Sequence, residues 1–153
     1  MEQSSYAHGA STVPLLGETL GACIDRIAAT YPANEAVVSV HQRVRMTYAQ
    51  LRDATDEFAR GLLALGVKHG DRVGIWSTNS IEWIVAQIAT PKIGAILVNV
   101  NPAYRSSEAR YALRQSSVSV LLVQIRYKTS DYVAMIREIR ADLPELRTIV
   151  LIG

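Results

Sequence analysis

Apolar positions along the chain fall into two periods, one of three to four residues and one of two or continuous, and their alternation predicts the fold. From Thr19, the residues Leu20, Ile24, Ile27 and Tyr31 recur at helical spacing, with Pro32 and Asn34 as the stop. Two short β-type runs follow, residues 36–40 and 43–46, joined as a hairpin at His41-Gln42. Thr47 and Gln50 then make a capping box, in which each side chain satisfies the other residue's free backbone N–H. Behind it Leu51, Ala54, Phe58, Leu62 and Leu65 mark one helical face, and Gly66 supplies the C-terminal stop.

After the polar turn Lys68-His69-Gly70-Asp71, residues 72–76 read as a strand, and Asn79 with Glu82 as a second capping box. The apolar helix this opens, residues 81–93, should kink or end early at Pro91, which lacks a backbone donor. Residues 95–100 read as a central strand covered on both faces, Ser106 as the cap of a helix through Arg114, and residues 118–123 as another buried run. Asp131 opens a last helix with Val133, Ile136, Ile139 and Leu143 inward, before a strand over 148–152. Strand alternating with helix predicts an α/β fold: a doubly wound, mainly parallel sheet with helices on both faces, spanning residues 18–153. Residues 1–17, rich in small residues, read as a flexible lead-in. Because Gly153 directly follows an apolar strand, the chain reads as the front piece of a longer polypeptide.

Composition narrows the function. A chain of 153 residues, 49% of them hydrophobic, suits one core of ordinary size. Sixteen Lys and Arg against 14 Asp and Glu leave no single-sign field to draw in nucleic acid or an anionic membrane. The longest apolar candidate, residues 81–100, is broken by Lys92 and Gly94 and falls short of the about 20 apolar residues that span a bilayer. With no apolar leader core at the N-terminus, the expected location is cytoplasmic. Cys23 has no partner for an intrachain disulfide, and its spacing with Leu20, Ile24 and Ile27 suggests a buried thiol.

Candidate chemistry is sparse. Neither G-x-x-x-x-G-K-[ST] nor G-x-G-x-x-G occurs, so no glycine-rich loop is set to cradle phosphates. His8, His41 and His69 are isolated from one another, the single cysteine adds no zinc spacing, and no G-x-S-x-G elbow is present. Arg105, Arg110 and Arg114 lie near and along one helix, and Arg126 and Lys128 follow a buried strand, where ligands of open α/β sheets collect. On spacing alone, a solvated surface loop is the simpler reading of that second pair. Trp76 and Trp83 sit in periodic apolar elements and read as core rather than as a stacking platform.

Four segments, taken together, change this picture: Thr47-Tyr48-Ala49-Gln50-Leu51; Leu65-Gly66-Val67-Lys68-His69-Gly70-Asp71-Arg72-Val73; Asn79-Ser80-Ile81-Glu82-Trp83; and Ile93-Gly94-Ala95-Ile96-Leu97-Val98 running into Asn101-Pro102-Ala103-Tyr104-Arg105. In this order the chain resembles the N-terminal subdomain of AMP-forming acyl-CoA synthetases and their luciferase-like relatives, with the Asn-Pro-Ala-Tyr-Arg ending most similar to the medium-chain branch. The resemblance implies a ligase that activates a fatty acid with ATP and Mg2+ to an acyl adenylate and passes the acyl group to coenzyme A. It also implies that the phosphate loop, the adenine and ribose contacts and the C-terminal lysine lie beyond Gly153, so no catalytic residue is carried over. Cofactor-binding candidates on the coenzyme A side are Asn101, Arg105, Arg126 and Lys128. The chain alone is then expected to be inactive and to self-associate through an uncovered sheet edge. A free-standing flavodoxin-like ligand module and a non-catalytic interaction module derived from a synthetase are the alternatives.

Overall fold

Helix α1 (Leu20–Thr30) starts where the Thr19 hydroxyl accepts a hydrogen bond from the Ala22 backbone N–H. The computed structural model describes residues 9, 12, 13 and 15–153, so the lead-in expected over 1–17 lies largely outside the described residues. α1 buries only Gly21 and Ala28, leaving Leu20 and Tyr31 exposed and Cys23 half-buried rather than buried as its spacing suggested. β1 (Glu35–Ser39) and β2 (Val44–Thr47) form the expected antiparallel hairpin, with Arg43 at φ 55° in its turn. The capping box of α2 (Tyr48–Ala64) is made on both sides: Gln50 N–H donates to Thr47 Oγ1 and Thr47 N–H to Gln50 Oε1.

Next come β3 (Arg72–Trp76), α3 (Ile81–Lys92), β4 (Ile96–Val100), α4 (Ser106–Gln115), β5 (Val120–Gln124), the two-residue strands β6 (Arg126–Tyr127) and β7 (Ser130–Asp131), α5 (Tyr132–Ile139) and β8 (Thr148–Ile152). Two caps differ from expectation by one residue. Ser80 rather than Asn79 caps α3, its hydroxyl accepting from Trp83 N–H. α4 begins behind Arg105, whose N–H donates to Glu108, while the Ser106 hydroxyl instead reaches across to Glu138. α3 runs one residue past Pro91, and Gly94, at φ 70°, turns the chain toward β4.

The main sheet is four-stranded and wholly parallel, in the order β4-β3-β5-β8. β3 and β5 are central, and Val120 to Val123 are all buried. β4, expected to be central, lies at the edge with Ile96 exposed, because an apolar β-branched run reads alike in both places. One face of the sheet packs on α4 and α5 through Trp76, Leu113, Leu121, Tyr132 and Ile136. The other packs on α2 and α3 through Leu62, Val73, Ile75, Ala86 and Leu122. Each large apolar side chain so buried contributes about 1.5–3 kcal/mol. Trp76 is core, as expected, with its ring tilted against Tyr132 at 4.8 Å, and Trp83 is half-buried against the second face. The Tyr132 hydroxyl donates to the Pro102 carbonyl at 2.8 Å, and burial pushes its pKa up.

α1 rests on α2 and α3 through one polar contact. The Lys92 ammonium, at the end of α3, lies 2.6 Å from Asp25 of α1 and 2.6 Å from Asp56 of α2. Gly21 leaves room for it: a Cβ there would stand 2.9 Å from Lys92 Cγ.

Candidate functional site

The strand order places a topological switch at the centre of the sheet. From β3 the chain crosses to β4 on one side, then returns past β3 to β5 on the other. The loops leaving β3 and β5 therefore diverge at their carboxyl ends and open a crevice, which is where open α/β sheets bind ligands. A cavity of about 770 Å³ lies there, walled by residues 77–80 after β3, Gln124 at the end of β5, Tyr127, and Gln42 from the β1–β2 turn.

Two side-chain amides hold this wall. Gln124 Oε1 accepts from Thr78 N–H at 3.1 Å and Thr78 Oγ1 at 3.0 Å, so it spans the crevice from β5 to the β3 loop, while the Ser77 hydroxyl, 3.4 Å from the same oxygen, donates to the Thr78 carbonyl at 2.8 Å. On the other side Gln42 Oε1 accepts from Ile81 N–H at 2.8 Å, and its Nε2 donates to Glu82 at 2.9 Å. Gln42 thus caps α3 from a distant turn. Burial disfavours the Glu82 anion, but its own backbone N–H, Gln42, Ser80 and the field of His41 outweigh burial and hold the carboxyl below its ordinary pKa.

The sequence-selected cations gather just outside this cavity. Arg126 and Lys128 stand on the β6–β7 hairpin, which follows β5 after Ile125. Arg126 pairs with Asp131 at 2.7 Å, and the Lys128 ammonium lies 5.3 Å from the centre of the Tyr127 ring. Arg105 reaches the same hairpin by donating to Ser130 Oγ at 3.1 Å. Asp131 titrates low because Ala134 N–H and Arg126 both bond its carboxylate. Asn101 is engaged in its own turn: Oδ1 accepts from Ala103 N–H and its carbonyl from Trp76 Nε1. The structure thus brings Arg105, Arg126 and Lys128 together and gives Asn101 a local bracing contact.

Sequence reading missed Gln42 and Gln124. Gln124 left a signal, a polar residue closing an otherwise apolar strand. Gln42 left none, because the two contacts that tie it to the wall, Ile81 and Glu82, lie 39 and 40 residues away. Among the described residues no three His, Cys, Asp or Glu side chains gather to hold a metal ion, and no helix is long and apolar enough to cross a membrane.

A parallel sheet with helices on both faces and a cavity at its switch point defines a doubly wound α/β unit. The chain belongs to the AMP-binding enzyme family, whose model matches residues 24–153. It is 38% identical over 139 residues to the mitochondrial medium-chain acyl-CoA ligase ACSF2 of Rattus norvegicus, covering 91% of this chain and 23% of the relative. To the ACSF2 of Danio rerio it is 39% identical over 145 residues, covering 95% and 23%. Among solved structures, the anthranilate CoA ligase AuaEII in complex with anthranoyl-AMP superposes with a TM-score of 0.80 at 28% identity, covering 92% of this chain and 26% of that one. The N-terminal domain of FACL13 from Mycobacterium tuberculosis gives 0.81 at 27%, covering 88% and 34%. The resemblance seen in the sequence holds, and the chain spans about a quarter of the length of the curated relatives it matches.

Proposed function

We propose that residues 18–153 form the first α/β subdomain of an AMP-forming acyl-CoA ligase, ending ahead of the loop that holds the triphosphate. The reading rests on the family match over residues 24–153, supported by likeness to ligases in both sequence and fold. The enzyme joins a fatty acid to ATP, releasing pyrophosphate, and the coenzyme A thiol then displaces AMP from the acyl adenylate. Mg2+ would screen the triphosphate charge. In this reading the metal and the triphosphate are held by the remainder of the enzyme. Cytosolic action stays part of this proposal; the ACSF2 relatives are named as mitochondrial, and cell fractionation decides between the compartments.

In this reading the β6–β7 hairpin meets the phosphates of coenzyme A. Arg126, 73% exposed, and Lys128 are set on one hairpin with Arg105 beside them, and Asn101 shapes the turn that presents Arg105. Arg126→Ala or Lys128→Ala in the full-length ligase should raise the KM for coenzyme A about three- to thirtyfold. Acid-dependent exchange of pyrophosphate into ATP should stay near wild type. A fall in both half-reactions, or in neither, would refute the assignment. The 153-residue chain alone should show no exchange, and it should self-associate in sedimentation runs through β8, an uncharged edge strand exposing Ile149 and Leu151. An active monomer would overturn both expectations.

A further inference from the structure

The crevice wall contains a brace that a packing role alone does not explain. Gln124 is the last residue of β5, and its single amide oxygen takes both the N–H and the hydroxyl of Thr78, across 46 residues of chain. Ser77 is buried and its hydroxyl holds the Thr78 carbonyl, while the Thr78 N–H has Gln124 as its acceptor at the mouth of the cavity. Gln42 grips the same loop from its far end at Ile81. The loop is therefore fixed at both ends by amide side chains from outside its own element. The cavity wall sets the Glu82 carboxylate among neutral polar groups, and Tyr127, which belongs to both the cavity and the hairpin, joins it to Arg126 and Lys128.

We infer that Gln124 is a positioning residue: it locks the 77–80 loop to the root of the β6–β7 hairpin and so sets where the coenzyme side of the cavity stands. This rests on the ligase reading. Removing the acceptor frees the loop and lets hairpin and wall move independently. Ligand capture then weakens, while chemistry at the triphosphate is unaffected.

The test uses the full-length ligase with Gln124→Met, which removes the acceptor, Gln124→Glu, which keeps it, and Thr78→Val, which cuts the brace from the other side. Gln124→Met should speed hydrogen exchange at the Thr78 amide and raise the KM for coenzyme A about tenfold, the equivalent of about 1.4 kcal/mol. Pyrophosphate exchange should stay near wild type. Gln124→Glu should keep Thr78 protected, and Thr78→Val added to Gln124→Met should cost little more than Gln124→Met alone, since the hydroxyl contact it removes is already lost with the acceptor. Faster Thr78 exchange with unchanged KM, additive effects of the two substitutions, or equal loss of both half-reactions would each overturn the inference. A wild-type enzyme without acid-dependent pyrophosphate exchange would instead sink the ligase reading, leaving the Thr78 exchange rate to judge the brace by itself.

Discussion

Replacing Lys92 by methionine removes the cation that joins three helices while keeping most of its apolar stem. Two magnitudes compete for the outcome. Stranding a buried charge costs about 3–5 kcal/mol, whereas an exposed ion pair is worth about 0.2–1 kcal/mol. The geometry is mixed: the Lys92 side chain is 9% exposed, but Asp25 and Asp56 are 52% and 42% exposed. The carboxylates left behind keep their water, so the lower figure applies to each of the two contacts, and about 0.4–2 kcal/mol should be lost in all. Burial alone would lower the Lys92 pKa, yet the hydrogen bonds and charges of Asp25 and Asp56 outweigh it and raise the value. A raised lysine contributes stability that is fully present below its unfolded pKa and fades as pH rises through the folded one, so this contribution should disappear only above about pH 10. Urea unfolding of wild type and Lys92→Met at low and high salt, with Asp25→Asn and Asp56→Asn as partners, reads the effect. Hydrogen exchange should quicken first in α1, which buries only Gly21 and Ala28. A loss above 3 kcal/mol, or one indifferent to salt, would show that the triad behaves as a buried charge cluster and that this accounting is wrong.

Gly94→Ala should destabilise by about 1–2 kcal/mol, because φ is 70° there and an L side chain resists the left-handed region. The new Cβ would also stand 2.3 Å from His69 Cδ2, so the double variant with His69→Ala should recover the steric part in a thermal melt and leave the backbone part. Acid should weaken the fold as well. Glu82 and Asp131 both have lowered folded pKa values, so their contribution is present above the ordinary carboxylate range and is lost as pH falls through it. Glu82→Gln should flatten part of that decline in urea midpoints between pH 7 and 3, and an unchanged slope would remove Glu82 from the account.

Elements with strong local chemistry were legible. The Thr47–Gln50 box, the strands over 72–76 and 148–152 and the Asp131 cap fall where their residues announced them. Strand position within the sheet was not. Ile96 to Val100 is as apolar as a central strand, yet β4 lies at the edge, because a one-dimensional pattern records burial by helices and not pairing by neighbours. The cationic part of the candidate site was visible in Arg126 and Lys128, while the polar wall was not. Gln42 reaches Ile81 and Glu82, and Gln124 reaches Thr78, across 39 to 46 residues, and no periodicity encodes a contact of that length.

The place of β3 also sets the order in which this chain can fold. β3 is the first strand of the main sheet to be made, yet both its edges must be sealed by later segments, β4 and then β5, whose approach is marked by Ser119 bonding to Arg72 across 47 residues. On a ribosome Ile75 and Trp76 would therefore emerge with one neighbour at most and wait for the second, and β8 could join only after β5 had docked. Non-local closure of this kind slows folding and lengthens the time that apolar strands stay uncovered. A nascent chain stalled before β5 should be the species that chaperones hold, and release should coincide with the synthesis of Val120 to Val123.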